Sequence, residues 1–325
     1  MTPMTVSSPG SHPVSSPTPC SPWRSGLASL LSVIATLAPL PLLPSLIGVT
    51  VAAVLITPSS AVQALQVQVT PNTPSLGDTL SVLIQTPVPA STQPTVQVGN
   101  KRYPAFAIAP NRYRAFVPTT PLSRPGPLSL VVSVEGQSQT VSVALAHRDF
   151  PTQRIWLPPG KDDLEGTDYE FDRVDAFKQI VSPEKLWSGP FLRPSNGEVT
   201  TVYGVRRYYN GEFAQDYYHR GVDYGAAMGS PVVAPAAGRV ALVGRESQGF
   251  VIHGNTVGID HGQGVTSILI HLNSIHVREG DRVQAGQVIG TVGSTGVATG
   301  AHLHWGLYVH GEAVDPVPWR YQGME

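Results

Sequence analysis

Two hydrophobic patterns run along this chain and divide it. Beyond residue 64, apolar and polar positions alternate in short runs, as in Leu65-Gln66-Val67-Gln68-Val69 and Thr79-Leu80-Ser81-Val82-Leu83-Ile84. Two further runs, Leu128-Ser129-Leu130-Val131-Val132-Ser133-Val134 and Thr140-Val141-Ser142-Val143-Ala144-Leu145, do the same. A period of two puts successive side chains on opposite faces of an extended chain, so these runs predict half-buried strands. Pro, Gly and Asn turns separate them, which predicts a small β-sandwich over residues 65–146. No His, Asp and Glu cluster falls in that stretch, so a spacer or docking module is expected there.

Ahead of it the pattern is different. A Ser/Pro/Thr-rich stretch with Arg24 as its basic residue leads into an uncharged apolar run from Leu27 to Ile56. Pro39, Pro41 and Pro44 interrupt the run. That leaves Leu46 to Ile56 as a signal-peptide core before the small-residue exit Val62-Gln63-Ala64. The alternative for residues 1–64 is an uncleaved N-terminal anchor, because the run could span a bilayer if helical. Either reading predicts export to the periplasm or cell envelope, with N-terminal membrane contact. Cys20 precedes the apolar core and so is not a lipidated cysteine after a signal. Residues 147–196 concentrate charge around Lys161, Asp162, Asp163, Glu165, Asp168, Glu170, Asp172 and Arg173. They predict a linker with a short helix between Val174 and Val181, its carboxylates forming a solvated face.

Composition narrows the class. Charged residues make up 13% of the 325, against 32 glycines and 31 prolines, which favours short strands and tight turns over long helices. The expected fold is mainly β. A net charge of -1 and a pI near 6.8 offer no basic surface for nucleic acid. With one cysteine, Cys20, an intramolecular disulfide and a cysteine-ligated zinc finger are both excluded. Any metal must be held by His, Asp or Glu.

Candidate chemistry lies near the C-terminus. In His302-Leu303-His304 the two histidines are two apart, so on a strand they share a face while Leu303 packs behind. Together with His219-Arg220-Gly221-Val222-Asp223 upstream, they offer enough donors for a three-ligand zinc site with an open position.

From Gly197 several motifs follow in order: Val202-Tyr203-Gly204-Val205-Arg206-Arg207, His219-Arg220-Gly221-Val222-Asp223-Tyr224, Pro231 to Gly238, Asn255 to Gly262, Ile270-His271-Leu272, Val288 to Gly293 and Gly300-Ala301-His302-Leu303-His304-Trp305. In this order they resemble a lysostaphin-type (LytM-like) zinc endopeptidase domain, over roughly the last 130 residues. The resemblance implies a glycine-rich antiparallel β-sheet peptidase domain with an open metal cleft over residues 197–325. It implies His219, Asp223 and His304 as zinc ligands and His271 and His302 as active-site histidines that do not bind metal. It also implies a zinc-activated water as nucleophile and peptide cross-links or stem peptides of peptidoglycan as substrate. His302 is the better candidate for the base and His271 for holding the oxyanion, although the residues leave either assignment open.

The chain departs from the family pattern at Leu269, commonly aromatic in relatives and expected to bear on how substrate is held, and at Ala301, often proline. His253, His261, His276 and His310 are expected in turns or on the surface. Asn210-Gly211 predicts a hairpin, and Arg245 to Gly254 a loop bordering the cleft. Two other classes remain. Val277 to Gln287 resembles the half-barrel turns of biotinyl and lipoyl carriers, but no lysine follows Lys185 to carry a cofactor. A catalytically inert relative, binding cell-wall peptide and activating another hydrolase, typically lacks zinc ligands that this chain keeps.

Overall fold

A computed structural model describes residues 65–156, 165–322 and 324. The targeting segment expected over residues 1–64 and the 161–164 part of the acidic run lie outside them. Among the described residues no helix is long and apolar enough to cross a membrane.

The chain is mainly β, as its alternation predicts. Eight strands come first: β1 (Gln66–Thr70), β2 (Thr79–Gln85), β3 (Thr95–Val98), β4 (Lys101–Pro104), β5 (Phe106–Ala109), β6 (Arg112–Pro118), β7 (Gly126–Val134) and β8 (Gln137–Leu145). They form two antiparallel sheets in the orders β1-β2-β6-β5 and β4-β3-β7-β8. Alternate residues of both sheets, Leu80, Val82 and Ile84 from β2 and Leu130 and Val132 from β7, meet in one core at 0–1% exposure. The period-two pattern is thus the core face of each strand.

Then follow β9 (Thr152–Ile155), α1 (Asp168–Lys178), β10 (Glu198–Thr201), β11 (Arg206–Tyr209), β12 (Glu212–Phe213), β13 (Val222–Gly225), β14 (Pro231–Val233) and β15 (Gly238–Gly244). The chain ends with β16 (Asn255–Gly262), β17 (Val265–Ile275), β18 (Arg282–Val283), β19 (Val288–Val292), β20 (His302–Val309), β21 (Glu312–Val314) and α2 (Val317–Tyr321). The main path of the larger sheet runs β10-β13-β20-β17-β16-β15-β18, and β9 joins the β11/β12 hairpin in a separate sheet. In that hairpin Asn210 and Gly211 both take positive φ, 47° and 96°, as a two-residue primed turn requires.

The 165–196 stretch differs from the expected exposed linker. α1 starts at Asp168, six residues before Val174, because Thr167 caps it: Thr167 Oγ1 accepts from Glu170 N at 3.0 Å. Val174 and Phe177 are buried in the core of the larger sheet, where Gly258 leaves room for the Phe177 ring. Nor is the whole acidic face solvated, since Glu170 has no exposed surface. Spacing in sequence marks the charges but not which of them turns inward.

The described residues group as one compact unit. Phe116 of β6 leaves the sandwich core for an aromatic cluster with Trp187, Phe191 and Trp319, its ring 5.3 Å from that of Trp319. Polar links cross the same seam: Asp315 N donates to Gly77 O at 2.9 Å and Arg148 pairs with Asp315 at 2.8 Å.

Candidate metal centre

Strand register assembles the donors. Asp223 on β13 stands directly opposite His304 on β20, and Gly225 opposite His302. Directly opposed residues share a sheet face at close range, so Asp223 Oδ1 lies 2.8 Å from His304 Nδ1. His219, just before β13, completes a triangle, with Nε2 at 3.0 Å from each of those atoms. Leu303 and its cross-strand neighbour Tyr224, both fully buried, back the site on the other face. Gly221 is required here: a Cβ on it would lie 2.8 Å from His304 Nε2 and 2.2 Å from Trp305 O.

His271 reaches the same cleft by a different route. On β17 it is Ile270 that opposes His304, so a regular strand would send His271 to the far face. The β16–β17 register instead shifts by one residue between the pairs Val257↔Leu269 and Asn255↔Leu272, and His271 takes φ 65°. A bulge of this kind re-aims a side chain. The His271 ring then lies 4.9 Å from that of His302 and 6.5 Å from that of His304.

The hydrogen-bond partners fix the tautomers. A carbonyl oxygen only accepts, so Val202 O at 2.8 Å places a proton on His219 Nδ1, Thr295 O at 2.8 Å one on His271 Nδ1, and Gly300 O at 2.8 Å one on His302 Nδ1. When neutral, each of the three presents an unprotonated Nε2. Burial is the main force that lowers the His271 pKa to about 3, with His302 and His304 adding to it. Burial likewise lowers His304 to about 4, against the opposing pull of Asp223. For Asp223, burial acts to raise the pKa, but its close contacts with the His219 and His304 rings outweigh it and hold the carboxylate well below its usual range.

Two imidazole nitrogens and a carboxylate oxygen therefore point at one spot, which a shared proton or a cation must fill. A tetrahedral zinc with bonds of ~2.0–2.1 Å holds its donors roughly 3.3 Å apart. The separations of 2.8 to 3.0 Å lie within a few tenths of that, and the nitrogen and oxygen donor set suits zinc. His219, Asp223 and His304 form a possible metal-holding group among the described residues.

All five residues named from the sequence border one cleft of about 780 Å³, which Trp156, Arg207, Tyr209 and Tyr217 also line. A larger cleft of about 1030 Å³ between the sandwich and the C-terminal sheet contains none of the five. Arg207 escaped the sequence reading. Its guanidinium lies 3.6 Å from Asp223 Oδ2, on the carboxylate oxygen that faces away from the other donors. The Asn210-Gly211 turn was the available signal, since it fixes the hairpin strand on which Arg207 sits.

Several expectations are corrected. His261 is not in the turn, which is made by Gln263 and Gly264. It is fully buried, donating from Nδ1 to Ala237 O and bonding Ser267 Oγ through Nε2, both at 2.9 Å. His253 pairs with Glu170 at 2.6 Å, whereas His310 stands in a turn as expected, at positive φ after β20. Leu269 has no exposed surface and belongs to the core, opposite Trp305, so it does not line the substrate side. Ala301 does border the cleft.

A mainly β domain that gathers two imidazoles and a carboxylate in an open cleft, with two further imidazoles beside them, has the donor set of a metal centre, and that set suits zinc. Residues 217–316 match Peptidase family M23, and this part of the chain belongs to that family. Among curated relatives, the chain is 43% identical over 99 residues to the DD-carboxypeptidase/endopeptidase Mpg of Neisseria meningitidis, covering 30% of this chain and 22% of the relative. It is 38% identical over 105 residues to lysostaphin of Staphylococcus staphylolyticus, covering 31% and 21%. The chain thus spans about a fifth of the length of these relatives. A crystal structure from Pseudomonas aeruginosa, described as a candidate M23 peptidase, aligns with 76% of this chain and 94% of its own at 26% identity and a TM-score of 0.57. That share exceeds the family-matched segment, so the likeness of fold extends beyond it.

Proposed function

We propose that this protein is an exported zinc-dependent endopeptidase that hydrolyses peptide bonds in peptidoglycan cross-links or stem peptides. The observation that carries the reading is the convergence of His219, Asp223 and His304 on one point, with His271 and His302 beside it in an open cleft. Relatives whose names give endopeptidase activity, among them a peptidoglycan DD-endopeptidase of Vibrio cholerae, support the substrate class. The apolar Leu27 to Ile56 run supports export.

His219, Asp223 and His304 would hold the zinc, which when bound supplies a Lewis acid and lowers the pKa of water towards neutrality. The remaining work belongs to the protein. His302 takes the proton of the attacking water at Nε2, the nitrogen left free by its bond to Gly300 O. Its side chain keeps 17% of its surface exposed and has Asp223 Oδ1 at 4.0 Å, so the imidazolium that forms is partly solvated and near a negative charge. Once protonated, His302 becomes the donor for the leaving amine. His271 is suited to a different task from the oxyanion role expected of it. Its one proton is committed to Thr295 O, and burial opposes a second, so it offers only an acceptor. It orients the attacking water by accepting a hydrogen bond at Nε2.

The test is to incubate the purified protein with zinc and isolated muropeptides beside His304→Ala. The reading expects cleavage by the parent protein alone; equal cleavage by both, or none by the zinc-loaded parent, overturns it.

A further inference from the structure

Glu170 is the one carboxylate with no exposed surface among the described acidic residues, and the hydrogen bonds its two oxygens accept come from the loop beside the cleft. Its two oxygens accept Val251 N at 2.9 Å, Ile252 N at 3.1 Å and His253 N at 2.7 Å, and one of them also contacts His253 Nδ1 at 2.6 Å. Three residues upstream, Thr167 Oγ1 donates to Gly249 O at 2.8 Å while capping α1. The first turn of α1 thus holds the loop at both ends. A buried carboxylate with this many donors is a costly group to place and a rigid one once placed.

What the loop holds in turn is His271. The backbone N–H of His271 donates to His253 O at 3.0 Å, and its ring Nδ1–H donates to Thr295 O at 2.8 Å. The Thr295 segment is stitched to the same loop: Val297 N donates to Ile252 O at 2.9 Å, and a Cβ on Gly254 would lie 2.5 Å from Thr295. Both N–H groups of His271 therefore end on backbone that Glu170 fixes directly or at one remove. That support matters because a histidine in the left-handed region is strained and persists only where its surroundings over-determine it.

We propose that Glu170 is a positioning residue for His271, acting through the 249–254 loop to hold it in the bulged conformation that turns its Nε2 into the cleft. The inference rests on the reading of His271 as an active-site group, and its test separates the two. In the zinc-free full chain, Glu170→Gln puts an amide donor against the loop N–H groups. Amide exchange at His271 should quicken at least tenfold, and the ring nitrogen resonances of His271 should lose the single-tautomer pattern, while exchange in β13 and β20 stays within twofold. With zinc, kcat should fall about tenfold and KM and zinc affinity should change less than twofold. In a His271→Ala background the same substitution should leave kcat unchanged, because the effect passes through His271.

Unchanged His271 exchange and ring signals in Glu170→Gln overturn the positioning role, as does a kcat loss that persists in the His271→Ala background. Wild-type kcat in His271→Ala alone overturns the role of His271 instead, and the exchange and ring signals still decide the positioning. Should Glu170→Gln not fold, His253→Ala removes only the ring contact. It should give a smaller shift in the same His271 signals, and no shift overturns the inference.

Discussion

Asp223 and His304 meet because one register position puts them opposite each other, and burial there and elsewhere in the fold disfavours the charged form of several imidazoles. Burial lowers His261 to about 4 although it lies outside the donor triangle, and His310 to about 4 in its turn. Both therefore remain neutral in the fold at a pH where the unfolded chain is already charged. Between the unfolded pKa near 6.5 and the folded value of about 4, the unfolded state binds more protons, so stability is complete above about 6.5 and falls as pH drops through that window. The His261 shift corresponds to a loss on the order of 3 kcal/mol. Thermal midpoints measured with chelator present should fall steadily from pH 6.5 to 4, with a shallower slope in His261→Gln. A flat profile counts against the buried neutral histidine.

Elements decide what single residues can do, and they were unevenly visible in the sequence. The Asn210-Gly211 turn was legible because its chemistry is local: both residues tolerate positive φ. Replacing Gly211 with Val forces a β-branched side chain into that region at a cost of about 1–2 kcal/mol. Amide exchange over residues 206–213 should then quicken roughly 5- to 30-fold, with β17 unaffected. His302 and His304 were legible for a related reason, since strand periodicity alone gives them one face. The bulge at His271 was not, because Ile268-Leu269-Ile270-His271-Leu272 is apolar throughout its flanks and carries no phase to show a flip. The start of α1 was missed for want of weight on Thr167, and the burial of Glu170 depends on partners 81 to 83 residues away. Contacts at such distances leave no mark on the local pattern.

At the scale of the molecule, the sandwich and the C-terminal sheet share buried side chains. Trp319 is 1% exposed, packs on Phe116, Trp187 and Phe191, and donates from Nε1 to Thr79 Oγ1 at 3.3 Å. Its replacement by Ala should cost about 3–5 kcal/mol. Calorimetry should show the described body of the wild-type protein melting in one transition and Trp319→Ala in two. Two separate transitions in the wild type would show that the seam does not couple them.

Strand β9 follows the sandwich in sequence, yet it pairs in parallel with β11, from Arg206↔Thr152 to Tyr209↔Ile155. A fragment begun at Gly197 keeps all three metal donors but strips β11 of that neighbour and leaves its N–H and C=O groups unpaired along an open edge. Open edges recruit strands from other chains. Such a fragment should bind zinc and yet self-associate, with light scattering that rises with concentration where the full chain's stays constant. The smallest piece that looks like an enzyme in the sequence would then be a poor one to handle in solution.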